Sequence, residues 1–146
     1  MPADVFIDTN VLVYAHDLDA GAKHEKAKGL LTGLWQLKPL PWISVQVLQE
    51  LLVTLRRKGI SATDARAVVE AYTRWRVVEY DVDLLRIGLT EMERWQLSFW
   101  DGLILAAARR ARVPTILSED LSDEQNYHGI KVENPFRVTC KTSSKP

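Results

Sequence analysis

Cysteine occurs once, at Cys140, and histidine three times, at His16, His24 and His128. An internal disulfide is therefore excluded, and soft ligands are too few for a convincing zinc site, which suits a reducing compartment. Neither sign of charge is in excess, since Lys+Arg and Asp+Glu both number 19. No strongly basic field announces nucleic acid, so any such contact must be local. No apolar run approaches the ~18 residues that a membrane helix needs, and no basic-then-apolar leader opens the sequence. The expectation is a cytoplasmic protein with no membrane segment. A G-x-S-x-G elbow and a phosphate-binding glycine loop are also missing, which removes serine-hydrolase and nucleoside-triphosphatase readings.

What is present suits one globular domain: 146 residues, 47% hydrophobic and 26% charged. Its core is expected over about 4–136, with 142–146 as a loose tail. Val5-Phe6-Ile7 meets a carboxylate at Asp8 and continues through Val11-Leu12-Val13-Tyr14, a run that predicts a fully buried strand. Ala27, Leu30, Leu31, Leu34 and Trp35 recur at helical steps, as do Leu48, Leu51, Leu52 and Leu55. Ser61 with Asp64 resembles a capping box before a third helix marked by Ala65, Val68, Val69 and Tyr72. Val77-Val78-Glu79-Tyr80 predicts a strand. Two more helices follow, the second over about 100–112, before a strand at 115–118 and an edge strand at 130–132. Short strands alternating with helices predict an α/β sandwich around a mainly parallel sheet of about four or five strands.

Ligands in such sheets collect at the carboxyl ends of the strands. Asp8 directly follows the first strand, and Asp120 follows Thr115-Ile116-Leu117 after two residues. Either carboxylate reads equally well as a cap for the next helix or turn. Asp101 heads the face carrying Ile104, Leu105 and Ala108, so it should point inward, unless it is held in a Ser98-x-x-Asp101 cap. Glu50 lies away from its leucine stripe and on pattern alone reads as a solvated helix residue. His24, which heads a helix, reads as a cap or surface residue. Arg56-Arg57-Lys58 and Arg109-Arg110-x-Arg112 could track a nucleic-acid backbone, but both end helices, where the macrodipole explains them as well. Most of Trp35, Trp42, Trp75, Trp95 and Trp100 should be core, with one or two left to stack bases or bind a partner helix.

Phe6-Ile7-Asp8-Thr9-Asn10-Val11-Leu12, Gln49-Glu50, Phe99-Trp100-Asp101-Gly102-Leu103-Ile104 and Ser118-Glu119-Asp120-Leu121 resemble, in order, the acidic motifs of PIN-domain nucleases. The likeness extends to the VapC-type toxins of bacterial toxin–antitoxin pairs and includes Asn134-Pro135-Phe136. It implies a three-layer α/β/α sandwich in which Asp8, Glu50, Asp101 and Asp120 gather at one sheet end and hold Mg²⁺ or Mn²⁺, one ion or two. Thr9, Asn10 and Ser118 match positions that support the site or its waters. The resemblance further implies an RNA substrate, products with a 5′-phosphate and a 3′-hydroxyl, a homodimer, and a small antitoxin protein that fills or covers the acidic site.

The chemistry agrees with the residue types. Phosphodiester hydrolysis needs a nucleophile at neutral pH and a partner for charge on the phosphate oxygens, and a hard divalent ion supplies both. Magnesium takes oxygen ligands and keeps several waters, so a few carboxylates suffice. Asp8 and Asp101 are assigned as direct ligands, with Asp120 and Glu50 binding through water, holding a second ion or orienting the attacking water. Two rivals stand beside this reading. A haloacid-dehalogenase-type phosphatase would need a second aspartate two residues after Asp8, where Asn10 stands. A catalytically idle PIN-like module would bind only RNA or protein, and would not bind metal.

Overall fold

A computed structural model of the chain describes residues 4–137. Cys140 and the expected tail at 142–146 lie outside the described residues. The elements run β1 (Phe6–Ile7), α1 (Thr9–His16), α2 (Ala22–Leu34), β2 (Trp42–Ser44), α3 (Val45–Arg57), α4 (Ala62–Tyr72), β3 (Arg76–Val78), α5 (Val82–Trp95), α6 (Phe99–Ala111), β4 (Thr115–Leu117), β5 (Asn126–Tyr127) and β6 (Ile130–Glu133). The sheet order is β3-β2-β1-β4-β6-β5. Every pairing is parallel except that of β5 with β6. Helices α1 to α4 pack along one another, while α5 packs on α6, which lies against β2 and β3. The arrangement is a three-layer sandwich, as the resemblance implied.

Two expectations are corrected. The sheet has six strands, not four or five, because Asn126–Tyr127 folds back on Ile130–Glu133 as a short hairpin and takes the edge assigned to 130–132. Its turn carries positive φ at His128 (55°) and Gly129 (97°), a local geometry that no hydrophobic period announces. The second correction concerns Val11-Leu12-Val13-Tyr14, which is helical. The neighbours of β1 contain only three residues each, so an extended continuation past Asp8 would leave its backbone groups unpaired. The helix satisfies them internally and still buries Val11, Leu12 and Val13.

The central strands β1 and β4 are buried on both faces, with Phe6, Ile7 and Ile116 fully enclosed, whereas Lys131 of β6 and Asn126 of β5 are exposed towards the sheet edge. Removing that apolar area from water is the main source of stability, at about 25 cal/mol per Å². One contact in the opposite layer sets the height of α6. A Cβ at Gly102 would lie 2.7 Å from the Gly88 carbonyl oxygen of α5, so only glycine permits the two helices to approach this closely. Gly102 immediately follows Asp101, and the contact therefore fixes where that carboxylate stands.

Candidate active site

Strands β1, β2 and β4 are mutually parallel, so Asp8, the start of α3 and Ser118 emerge at the same sheet end. The start of α6 reaches that end too: the Trp100 carbonyl accepts from Gln46 of α3, and Asp101 lies within the influence of the Asp120 and Glu50 charges. Topology alone thus gathers residues that are far apart in sequence.

Asp8 is buried at 3% exposure. Its Oδ1 accepts the Thr9 N–H at 2.7 Å, capping α1, and its Oδ2 accepts the Ser118 hydroxyl at 2.7 Å and the Asn10 amide at 3.5 Å. Burial pushes its carboxyl up to about 7; the Ser118 and Thr9 hydrogen bonds oppose that rise, and the charges of Asp120 and Glu50 reinforce it. Asp8 is therefore a helix cap as well as a candidate ligand. The Ser118 hydroxyl also accepts the N–H groups of Asp120 (3.0 Å) and Leu121 (3.3 Å), so one buried oxygen ties Asp8 to the loop carrying Asp120.

Asp101 is half-buried, and its N–H donates to Ser98 Oγ at 3.1 Å. The cap of α6 is thus supplied by the serine, while the Asp101 carboxyl is raised, first by burial and then by the charge of Asp120, with a Ser98 side-chain hydrogen bond opposing the rise and Glu50 adding to it. Asp120 is exposed. Glu50 departs from its pattern-based reading: it is half-buried, accepting Thr9 Oγ1 at 2.6 Å on one oxygen and Gln46 Nε2 at 3.1 Å on the other. Thr9, Asn10 and Ser118 all bridge parts of this cluster.

None of the four acids forms an ion pair among the described residues. Two of these carboxylates, Asp8 and Asp101, are raised by burial and by the charges of Asp120 and Glu50. The donors are all oxygen, which fits a hard divalent cation and not zinc. No three of the acidic, histidine or cysteine side chains among the described residues converge tightly enough to enclose an ion. Magnesium does not need such convergence, since it is commonly held by one or two carboxylates with water completing its shell.

With this geometry in view, a sequence profile described as "PIN domain" matches residues 5–122. The chain belongs to the PIN-domain family. No curated protein matches it significantly. Among solved structures, a toxin–antitoxin complex from Klebsiella pneumoniae shares 22% identity at a TM-score of 0.67, covering 92% of this chain and 99% of the other. VapC20 of Mycobacterium tuberculosis, described as a sarcin–ricin-loop-cleaving toxin, shares 24% identity at a TM-score of 0.64 over 80% of this chain and 89% of that one. VapBC2 from Rickettsia felis, bound to a promoter DNA fragment, shares 18% at a TM-score of 0.60 over 90% and 98%. These likenesses support the fold.

The PIN domain also holds polar residues that pattern reading passed over. Gln46, 5% exposed, donates to Glu50 and to the Trp100 carbonyl at 3.2 Å, linking α3 to α6. A glutamine four residues before a glutamate on one helix was the available signal. Glu119 donates its N–H to Asn10 Oδ1 at 3.1 Å, accepts the Tyr14 hydroxyl at 2.7 Å and pairs with Lys23. The residue beside Asp120 is thus pinned to α1 and α2, and Phe136 closes on Tyr14 edge-on, ring centroids 5.0 Å apart. No sequence spacing announces this network, because its members lie about a hundred positions apart. His24 is neither cap nor surface residue: it is buried, with Nδ1 2.9 Å from the Tyr14 carbonyl oxygen. Arg109 pairs with buried Glu91 and donates to the Tyr127 and His128 carbonyls, while Arg110 pairs with Asp81, so that second basic cluster serves the fold.

Proposed function

We propose that this PIN domain, a single domain over its whole length, is a Mg²⁺- or Mn²⁺-dependent endoribonuclease and the toxin of a bacterial toxin–antitoxin pair. The observation that carries the reading is buried Asp8, with its raised carboxyl, set like Asp101 against the charges of Asp120 and Glu50, with none of the four in an ion pair among the described residues. Membership of the family supports a nuclease, and the toxin structures of like fold support the narrower assignment. A cytoplasmic setting suits an RNA substrate, and no helix among the described residues is long and apolar enough to cross a membrane.

Asp8 and Asp101 are the residues assigned to hold the ion, with Asp120 and Glu50 reaching it through water or holding a second. Bound there, the ion would neutralise charge on the phosphate oxygens and lower the proton affinity of the attacking water. Ser118 and Thr9 keep Asp8 aimed by fixing both of its oxygens. Glu50, anchored by Thr9 and Gln46, would orient the attacking water where it does not itself reach the ion. Asn10 has its Oδ1 committed to the Glu119 N–H and cannot serve as the acid a phosphatase of the dehalogenase type needs there. The partners assigned are a second copy of the chain and an antitoxin whose segment covers the acids.

Purified protein should degrade single-stranded or structured RNA with Mg²⁺ or Mn²⁺, poorly with Ca²⁺, and not at all in excess chelator. Undiminished cleavage in chelator, or in Asp8→Asn, would sink the mechanism. Absence of Mn²⁺ binding would leave the idle binding module in its place. Expression alone should arrest bacterial growth, and equal arrest by Asp8→Asn would remove the toxin argument.

A further inference from the structure

Three successive cations close α3, and the fold assigns them different tasks. Arg56 donates to the Ile60 carbonyl at 2.9 Å, which secures the helix end, and Lys58 pairs with Asp17 at 2.9 Å. Arg57 is exposed and has no hydrogen bond or ion pair within the described residues. It lines a cleft of about 640 Å³ between α1 and α3 whose wall also includes Glu50 and Asp120. Glu50 and Arg57 are seven positions apart, hence on one helix face and about 10 Å apart along the axis.

Trp100 is the second unexplained group. Trp35, Trp42, Trp75 and Trp95 are buried or packed on the core, whereas Trp100 is 58% exposed and lines the same cleft. Its backbone is held by Gln46 and its ring touches Phe99 at 5.1 Å, so the indole is presented from a fixed position.

We infer that this cleft is a subsite for single-stranded RNA, in which the Arg57 guanidinium holds a phosphate neighbouring the scissile one and Trp100 stacks on an unpaired base. The inference rests on the ribonuclease reading and deepens it. Guanidinium binds phosphate through paired, charge-assisted hydrogen bonds, and an indole face takes any base that a duplex does not already bury. The charge and the ring together suit RNA. A polyanion meets positive charge from Arg57 and, on the ribonuclease reading, from an ion at the acids, and the exposed indole in the same cleft offers its bases a stacking face.

The test measures kcat and KM on a labelled single-stranded RNA oligonucleotide in Mn²⁺. The proteins are the parent, Arg57→Gln, Trp100→Ala, Trp100→Phe and, as a charge-matched control, Arg66→Gln on the exposed face of α4. Arg57→Gln and Trp100→Ala should each raise KM about tenfold with kcat within about twofold, and Trp100→Phe should recover most of the loss. Equilibrium binding in Ca²⁺, followed by fluorescence anisotropy, should show the salt slope of Arg57→Gln reduced by about 0.7. An unchanged KM and slope in Arg57→Gln, or an equal change in Arg66→Gln, would overturn the subsite. So would weaker binding of a co-expressed antitoxin with RNA affinity untouched, which would make the cleft a protein-docking surface. If the parent does not cleave RNA, the ribonuclease reading fails separately, and the anisotropy series still decides whether Arg57 contacts RNA.

Discussion

Replacing Asp8 by asparagine should stabilise the metal-free protein at alkaline pH and do the opposite in acid. The carboxyl has an ordinary value of 3.8 and is pushed up to about 7 in the fold, chiefly by burial. The folded state therefore binds the proton more tightly than the unfolded chain, so the stabilising contribution is complete below 3.8 and is lost as pH rises through about 7. At about 1.36 kcal/mol per pH unit, full ionisation removes on the order of 4 kcal/mol. Asparagine has no such charge, but it keeps only one acceptor oxygen. Used for the Thr9 N–H, that oxygen leaves an amide facing Ser118 Oγ, which already accepts from Asp120 and Leu121. Losing the Ser118 bond costs about 1 kcal/mol, leaving the variant about 3 kcal/mol more stable than the parent near pH 8.5 and slightly less stable near pH 4. Urea unfolding in chelator, followed by circular dichroism across that range, measures the difference directly. Because other carboxylates titrate in both proteins, the gap between the two profiles isolates Asp8. Parallel profiles, or a variant less stable at pH 8.5, would refute the reasoning.

Two further outcomes follow from the same geometry. Metal-free Asp101→Asn should melt at or above the metal-free parent at neutral pH, since burial, Asp120 and Glu50 all disfavour its charge, yet gain much less from saturating Mn²⁺. Equal Mn²⁺ gains, or a badly destabilised metal-free variant, would make Asp101 a structural residue only. Gly102→Ala should cost about 1–3 kcal/mol by thermal or urea unfolding, because its methyl would press on the Gly88 carbonyl and force α5 and α6 apart. Mn²⁺ binding, read by calorimetry, should weaken as Asp101 shifts with the helix, and unchanged stability and affinity would show that the contact is slack.

The alternation of short strands with helices was legible in the sequence because both burial periods are local, and it sufficed for the sandwich. Apolar content could not decide between strand and helix over Val11-Leu12-Val13-Tyr14; the length of the neighbouring strands decided it. The hairpin edge at Asn126–Tyr127 rests on a turn too short to have a period. Asp8, Asp101 and Asp120 could be singled out by their places beside strands and helix starts, since those places are properties of sequence order. Glu50 could not, because its face of α3 is polar and becomes an inner face only when Thr9 and Gln46 arrive beside it. The Glu119, Tyr14 and Lys23 network and the separate tasks of Arg56, Arg57 and Lys58 likewise required the tertiary structure. Periodicity records which residues seek burial, whereas the partner of a polar group is set by chain crossings that bring distant segments within hydrogen-bond reach.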